Sequence, residues 1–172
     1  MCIRDSPNHG GQGLLQSRAV ECLRFLDPRL MREVIVLASC GADGCLRFWN
    51  TRLGECMLTV EGVCSPGDSL LHMAVDETST FLVTGDSSGR VKVWDMLHLS
   101  DLAALAPDGG ATARADDPDS KVKMLFTWRA HRQSIVHVEY LPGIDGLMTA
   151  STDCTARPVS YTHLTLPTIL LV

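Results

Sequence analysis

The 172-residue chain lacks long apolar runs and any cluster of basic residues. A membrane-spanning helix needs about 18 or more consecutive apolar residues, and no such run occurs. The first residues also lack the apolar stretch of a secretory signal. Lys and Arg number 15 against 20 Asp and Glu, which gives a formal net charge of −5. A nucleic-acid surface needs clustered basic side chains, so we expect neither a membrane nor a nucleic acid as a partner.

Metal-binding and cofactor-binding motifs are missing as well. The seven cysteines are scattered, without a CxxC pair or the Cys/His spacing of a zinc site. The glycine-rich stretch 10–13 is not followed by the Lys and Ser/Thr of a phosphate-binding loop. The acidic stretch 115–121 lacks the glycine and terminal glutamate of an EF-hand. We therefore predict no cofactor and no metal, and mostly buried thiols in a reducing compartment.

The two ends of the chain are related to each other. The codons ATG TGT ATA AGA GAC encode the first five residues of MCIRDS, and their reverse complement encodes VSYTH, which begins at Val159. Both ends therefore resemble translated sequencing-adapter sequence, which has to be set aside before the fold is considered. We expect residues 1–6 and 158–172 to be foreign, and residues 7–157 to be a fragment of a longer protein.

An internal repeat occupies most of the remaining sequence. Three stretches align with one another: Ala38–Asn50, Val83–Asp95 and Met148–Arg157. Each passes from a short apolar segment through a polar turn, and in the first two stretches an alternating strand, LRFW or VKVW, follows the turn. Further candidate strands precede the three hairpins and follow the first two: 19–26, 69–75, 134–141, 56–62 and 121–128. Four short antiparallel strands per unit indicate the blades of a β-propeller.

These features resemble the WD40-repeat family. Trp49 and Trp94 end equivalent strands 45 residues apart, close to the roughly 40–45 residues of a WD40 repeat. Ala130 and His131 stand where the family usually has Gly-His, just before the third unit. The resemblance implies an all-β fold, a partial WD40-type β-propeller with about two to three four-stranded antiparallel blades.

The resemblance also implies a set of residues that brace each blade by hydrogen bonds. In this family a loop histidine, a strand hydroxyl, a turn aspartate and a strand tryptophan are linked within one blade. The matching positions are Ser39, Asp43 and Trp49 in the first unit, Thr84 and Trp94 in the second, and His131, Thr149 and Asp153 in the third. In the second unit Ser88 replaces the aspartate, and the third tryptophan would fall at Val159.

The WD40 region of residues 7–157 divides into units of approximately 17–63, 68–128 and 130–157, the last one truncated. The second unit is about twenty residues longer than one repeat. The excess lies at 97–120, where Ala, Asp, Gly and Pro are frequent and no β-branched run occurs. We predict a flexible surface loop there.

The sequence predicts a protein-binding scaffold and not an enzyme. The spacing of His131, Thr149 and Asp153 is explained by blade bracing, so it does not indicate a catalytic triad. The stretches 81–95, 128–140 and 147–157 resemble WD-repeat proteins of cilia and flagella, which implies a cytoplasmic, ciliary or cytoskeletal component. The alternatives are a substrate-recognition propeller of a larger complex such as a ubiquitin ligase, or an accessory domain of an enzyme. Partners would bind at the faces and loops of the propeller.

Overall fold

A computed structural model describes residues 19–27, 34–101, 110–142 and 146–160. Within these ranges the chain forms twelve β-strands and almost no helix. In chain order the strands are β1 Val20–Phe25, β2 Val36–Gly41, β3 Leu46–Asn50, β4 Glu55–Glu61, β5 Leu70–Val75, β6 Phe81–Asp86, β7 Arg90–Asp95, β8 Ala111–Arg114, β9 Lys123–Arg129, β10 Ile135–Leu141, β11 Gly146–Ser151 and β12 Ala156–Ser160. In the described part of the chain, no helix has the length and apolar character needed to cross a membrane.

The strands form three sheets that follow one another along the chain. The first blade has the order β1-β2-β3-β4-β8, the second β5-β6-β7-β9 and the third β10-β11-β12. Within each blade, consecutive strands pair antiparallel, as predicted from the hairpin pattern. The inner strands β1, β5 and β10 lie side by side, β5 between the other two. This arrangement is a partial propeller, and the predicted all-β fold class is confirmed.

The three blades repeat the same local irregularities. Each inner strand carries a register shift just after its first residue, at Val20, Leu70 and Ile135. The turn between the second and third strands places Gly44, Gly89 and Cys154 at equivalent positions with φ of 74°, 84° and 66°. Glycine adopts this left-handed conformation without steric cost, whereas other residues are strained by it. Cys154 is therefore the strained member of the set.

Apolar side chains are buried between adjacent blades. One core cluster joins the first two blades and includes Phe48, Leu58 and Trp94. A second, smaller cluster joins the second and third blades and includes Val91, Ile135 and Leu147. The alternating strands thus bury side chains on neighbouring sheets, because a single sheet of four short strands cannot cover its own apolar face.

The prediction of a flexible loop at 97–120 is wrong in part. Residues 111–114 form β8, which pairs parallel with β4 and extends the first blade to five strands. The outer strand of a sheet has unpaired N–H and C=O groups that accept an added strand. Ala113 and Ala115 also pack against the first core cluster. Pairing with β4 and packing against the core therefore give residues 111–115 a defined structure, although their composition alone indicates a loop.

The third blade has three described strands, and β12 runs past the predicted boundary at Arg157. Pro158 pairs with Met148, and Val159 pairs with Leu147. The same register pairs Trp49 with Leu37 and Trp94 with Leu82 in the other blades. Val159 therefore occupies the strand position of the two tryptophans, as predicted. The segments 1–6 and 161–172 lie outside the described residues.

Candidate functional site

The predicted tryptophan–hydroxyl pairs meet in the first two blades. The indole Nε1 of Trp49 donates a hydrogen bond of 2.7 Å to Ser39 Oγ. The indole of Trp94 donates one of 3.0 Å to Thr84 Oγ1. Both hydroxyls are buried, so each indole supplies a partner to a polar group that water does not reach. These bonds link the second and third strands of one blade.

Asp43 lies in the turn of the first blade but does not touch the Trp49–Ser39 pair. Its Oδ1 accepts a hydrogen bond of 3.1 Å from the backbone N–H of Cys45. Its Oδ2 lies 2.8 Å from Nη1 of Arg47, whose side chain is almost fully buried. The contact is an ion pair, and its angles are not those of an aligned hydrogen bond. Asp43 thus fixes the turn and neutralises a buried guanidinium group.

The three predicted residues of the third blade come together around a buried histidine. His131 Nε2 lies 2.9 Å from Thr149 Oγ1. The opposite nitrogen, Nδ1, lies 3.2 Å from Asp153 Oδ2 and 2.8 Å from Thr155 Oγ1. Hydrogen bonds from the Thr155 hydroxyl and from the backbone N–H groups of Arg132 and Thr155 lower the pKa of Asp153 well below its ordinary value. The imidazole is thus held on both sides by the turn and strand of its own blade.

This histidine network is not arranged for nucleophilic catalysis. Both ring nitrogens of His131 are engaged, and its side chain is fully buried. A nucleophile and its base have to converge on a space that can hold a substrate. The groove at the ends of the inner strands, described below, is not lined by His131, Thr149 or Asp153. Their role in bracing the blade stays a prediction.

Ser88 stands at the position of the turn aspartate in the second blade, as the alignment indicates, and a carboxylate from a neighbouring position bonds to it. Asp86, two residues earlier, is buried at the end of β6. Its Oδ1 accepts hydrogen bonds from the Ser88 N–H at 3.0 Å, the Ser88 hydroxyl at 2.7 Å and the Arg90 N–H at 2.9 Å. The carboxylate has moved along the chain while still organising the same turn. The sequence alignment compares residues at the same position in each turn. It therefore does not show that the side chain of Asp86 reaches the turn from two residues earlier.

Restoring tryptophan at position 159 is expected to stabilise the third blade. Val159 is partly buried against the second core cluster, and its register places a side chain on the same strand position as Trp94. An indole there would bury more apolar surface and donate to Thr149 Oγ1, so Val159→Trp should raise the free energy of unfolding by about 1–2 kcal/mol. Denaturant unfolding followed by fluorescence measures the change. Val159→Phe is the control without a donor, and a Trp variant no more stable than the Phe variant would contradict the hydrogen-bond argument.

An open groove of about 720 Å³ lies where the inner strands of the three blades end. Equivalent positions of the three repeats line it, because β1, β5 and β10 lie side by side and end at the same level. The lining residues are Arg24, Phe25, Leu26, Asp27, Ala74, Val75, Asp76, Glu77, Ser79, His137, Val138, Glu139, Tyr140 and Pro142. No motif in the sequence connects these residues. Aligning the ends of the first strands of the units would have located them.

The groove combines acidic and apolar side chains. Its lining includes four acidic residues, Asp27, Asp76, Glu77 and Glu139, against one arginine, Arg24. The imidazole Nε2 of His137 lies 3.5 Å from Glu139 Oε2. The carboxylate of Asp76 accepts bonds from its own turn, from the backbone N–H groups of residues 78 and 81. Glu77 and Glu139 are exposed. The groove therefore presents a negative surface next to apolar side chains.

Two histidines connect the second and third blades beside this groove. The rings of His72 and His137 lie with centroids 4.6 Å apart, tilted by 51°. His72 Nδ1 accepts a hydrogen bond of 3.1 Å from the backbone N–H of Val138, across the interface between the blades. Burial lowers the pKa of His72, which favours the neutral ring that can accept this bond.

The described cysteines are less buried than predicted. Cys22 and Cys40 are buried, whereas Cys45, Cys56 and Cys64 are half-buried and Cys154 is exposed. No disulfide joins the cysteines of the described residues. In the same part of the chain, no three His, Cys, Asp or Glu side chains are grouped so as to hold a metal ion.

A family model described as "WD domain, G-beta repeat" matches residues 13–50 and 54–95. The matched segments contain both tryptophan–hydroxyl pairs. Residues 13–50 and 54–95 thus match two WD40 repeats. The third WD40-type hairpin, at 146–160, lies beyond the matched residues, and its register with the first two blades comes from the structure.

Curated relatives share parts of this WD40 region. The chain is 30% identical over 91 residues to the transcriptional regulatory protein UME1 of Saccharomyces cerevisiae, which covers 53% of the chain and 19% of the relative. It is 26% identical over 167 residues to a WD repeat-containing protein on the Y chromosome of Anopheles gambiae, which covers 84% of the chain and 16% of the relative. The chain thus spans less than a fifth of either relative's length.

Solved structures show the same fold. The WD40 repeats of RRP9 superpose with a TM-score of 0.59 at 18% identity, over 85% of the chain and 36% of that structure. The structure of U3-55K gives a TM-score of 0.59 at 17% identity, over 85% of the chain and 37% of that structure. At these identities the likeness establishes the WD40 propeller fold alone, of which this chain spans just over a third.

Proposed function

We propose that this chain is part of a non-enzymatic protein-binding scaffold and that the groove at the ends of β1, β5 and β10 binds a basic segment of a partner protein. The acidic lining of the groove, contributed by all three blades, carries this proposal. WD40 repeats form such scaffolds, and the relatives include a transcriptional regulatory protein and a transcriptional modulator.

The charge of the groove selects the partner. Complementary charges steer binding and suppress wrong partners. Because the carboxylates of Glu77 and Glu139 are exposed on different blades, one extended segment with spaced Lys or Arg side chains can reach both. Phosphate groups would be repelled by the same carboxylates, which supports a protein over a nucleic acid as the ligand.

Apolar side chains in the groove supply the remaining affinity. Phe25 is 69% exposed, and Tyr140 lines the opposite wall on β10. Aromatic side chains are frequent at the centres of protein interfaces because they bury large areas with little loss of conformational freedom. The favoured ligand is therefore a segment that alternates basic and apolar residues.

The cellular setting rests on other grounds. A cytoplasmic, ciliary or cytoskeletal role is supported by the sequence stretches 81–95, 128–140 and 147–157. The relatives named for transcription favour a nuclear partner instead. The substrate-recognition and enzyme-accessory alternatives predict the same propeller surface with different neighbours. Microscopy of the tagged protein separates the ciliary from the nuclear setting.

Charge reversal in the groove is expected to weaken the binding of a basic peptide. The probe is a short fluorescent peptide of alternating Arg and Leu, titrated against the 172-residue chain. The double variant Glu77→Lys/Glu139→Lys should weaken binding by at least about tenfold, and raised salt should weaken the wild type. Fluorescence anisotropy measures both effects.

The matched control carries, outside the groove, the same change of charge as either single groove variant, Glu77→Lys or Glu139→Lys. Glu55 is exposed at the start of β4, on the outer side of the first blade, and Glu55→Lys should leave the affinity within about twofold of the wild type. A peptide of alternating Glu and Leu should not bind. If the control and the groove variants weakened peptide binding equally, binding would depend on the net charge of the chain. That result would overturn the proposed site.

A further inference from the structure

We propose that Cys22 and Cys40 form a reversible disulfide across β1 and β2 of the first blade, made by a hydroperoxide oxidant. This reaction does not depend on peptide binding in the groove. The described cysteines are all free thiols, and the Cys22–Cys40 pair is the one that we expect an oxidant to modify.

Strand register places the two cysteines directly opposite each other. Cys22 pairs with Cys40 in the antiparallel ladder of β1 and β2. Opposed residues of antiparallel strands have Cα atoms about 4.5–5.5 Å apart, inside the range of about 4.4–6.8 Å that a disulfide spans. Directly opposed residues of an antiparallel pair lie on the same face of the sheet, and both cysteines are buried there.

This pairing of cysteines is particular to the first blade. The same two positions hold His72 and Gly85 in the second blade and His137 and Ala150 in the third. The imidazoles of those blades reach toward each other, with His72 also bonded to the next inner strand. In the first blade, Cys22 makes the corresponding contact to the next inner strand, with its Sγ 3.8 Å from the carbonyl oxygen of Met73.

The contact between the thiols makes them chemically unequal. Hydrogen bonding from Cys40 lowers the pKa of the Cys22 thiol, and the same contact together with burial raises the pKa of Cys40. Arg24, two residues along β1, adds a smaller lowering effect on Cys22. A thiolate is the attacking species in thiol oxidation. Cys22 is also 7% exposed, whereas Cys40 is fully buried, so the peroxide reaches Cys22 first and Cys40 is the resolving thiol.

The reaction balances in two steps. The Cys22 thiolate attacks one oxygen of the hydroperoxide, the O–O bond breaks, and the other oxygen leaves as water or an alcohol after taking up a proton. Cys22 is then a sulfenic acid. The Cys40 sulfur attacks the sulfenic sulfur, the S–S bond forms, and the hydroxyl leaves with the Cys40 proton as water. The two thiols supply two electrons, which reduce one peroxide.

Oxidation would change the contact between the first two blades. A disulfide sulfur has no proton, so Cys22 could no longer donate to the Met73 carbonyl oxygen on β5. At the same time the bond would fasten β1 to β2 covalently. Oxidation of the pair would thus replace a hydrogen bond between the first two blades with a covalent bond within the first blade.

To test the proposal, the 172-residue chain is treated with limiting hydrogen peroxide and the remaining thiols are alkylated. Tryptic peptides are then analysed by mass spectrometry without reduction. The peptide 19–24 carries Cys22, and the peptide 33–47 carries both Cys40 and Cys45. The experiment is therefore repeated with Cys45→Ser, which leaves Cys40 as the only cysteine of its peptide. We expect the linked 19–24/33–47 product to exceed every other linked pair by at least about tenfold, and dithiothreitol to reverse it.

The controls separate this pair from general thiol oxidation. Cys154 is exposed, so Cys154→Ser should leave the linked product unchanged, whereas Cys40→Ala should remove it and let Cys22 accumulate as a sulfenic acid that dimedone traps. Tandem mass spectrometry of the linked wild-type peptides locates the bond at Cys40 or at Cys45, so the proposal stays testable even when a variant fails to fold. Full alkylation of Cys22 and Cys40 after peroxide treatment, or a dominant link between another pair, would overturn the proposal.

Discussion

Replacing Gly89 with alanine is expected to lower the free energy of unfolding by about 3 kcal/mol or more. Gly89 has φ of 84° in the turn between β6 and β7. An added Cβ would lie 2.3 Å from the carbonyl oxygen of His131 and 2.7 Å from that of Gln133. The carbonyl of Gly89 also accepts hydrogen bonds of 3.0 Å from the N–H groups of Ala130 and His131. The turn of the second blade thus contacts the loop that carries His131, and the substitution would force them apart.

Gly67→Ala separates steric overlap from backbone strain. Gly67 has φ of 92°, yet an added Cβ would meet no atom within 4 Å. Alanine in the left-handed region costs about 1–2 kcal/mol by itself. Denaturant unfolding of both variants should therefore give a clearly larger loss for Gly89→Ala, together with faster amide exchange at His131. Equal losses would show that strain alone acts and that the contact between the blades contributes little.

Truncating Trp94 to alanine is expected to cost about 3–5 kcal/mol, the range for large aromatic side chains in a core. Trp94 is fully buried in the cluster between the first two blades. Its loss would leave a cavity and deprive the buried hydroxyl of Thr84 of the indole donor. Urea unfolding followed by far-ultraviolet circular dichroism avoids reliance on the deleted fluorophore.

Trp128→Ala is the matched control for this truncation. Trp128 lies on the outer strand β9 and is only partly buried against the second cluster, so the same deletion should cost about 1–2 kcal/mol. The variant Trp94→Phe keeps an aromatic ring but lacks the donor, and a double-mutant cycle with Thr84→Val should give a coupling of about 1 kcal/mol. A cost for Trp94→Ala no larger than for Trp128→Ala would contradict the burial argument.

The hairpins of the three blades could be predicted from sequence because their signals are local. Alternating apolar residues follow a polar turn, and Trp49 and Trp94 mark the end of a strand in two successive units. The predicted strand at 134–141 and the observed β10 at Ile135–Leu141 differ by one residue. Period-2 patterns and turn residues fix such strands without reference to the rest of the chain.

The candidate site could not be predicted in the same way. The groove joins residues such as Arg24, Glu77 and Glu139, which are each more than fifty residues from the next along the chain and form no motif. They meet only because the inner strands of three blades lie side by side. Cys22 and Cys40 are likewise eighteen residues apart, and their pairing depends on the register between β1 and β2.

The sequence by itself therefore determined the repeat, the strand type and the tryptophan positions that the first two units share. Only the tertiary structure decided which sheet edge the segment 111–114 joins and which carboxylate bonds to the turn of the second blade. It also decided which charged side chains line the same groove. The physical reason is the range of the interactions. Backbone pairing and alternation act between neighbours in the chain, whereas edge pairing, ion pairs and grooves depend on distances that only the packed blades define.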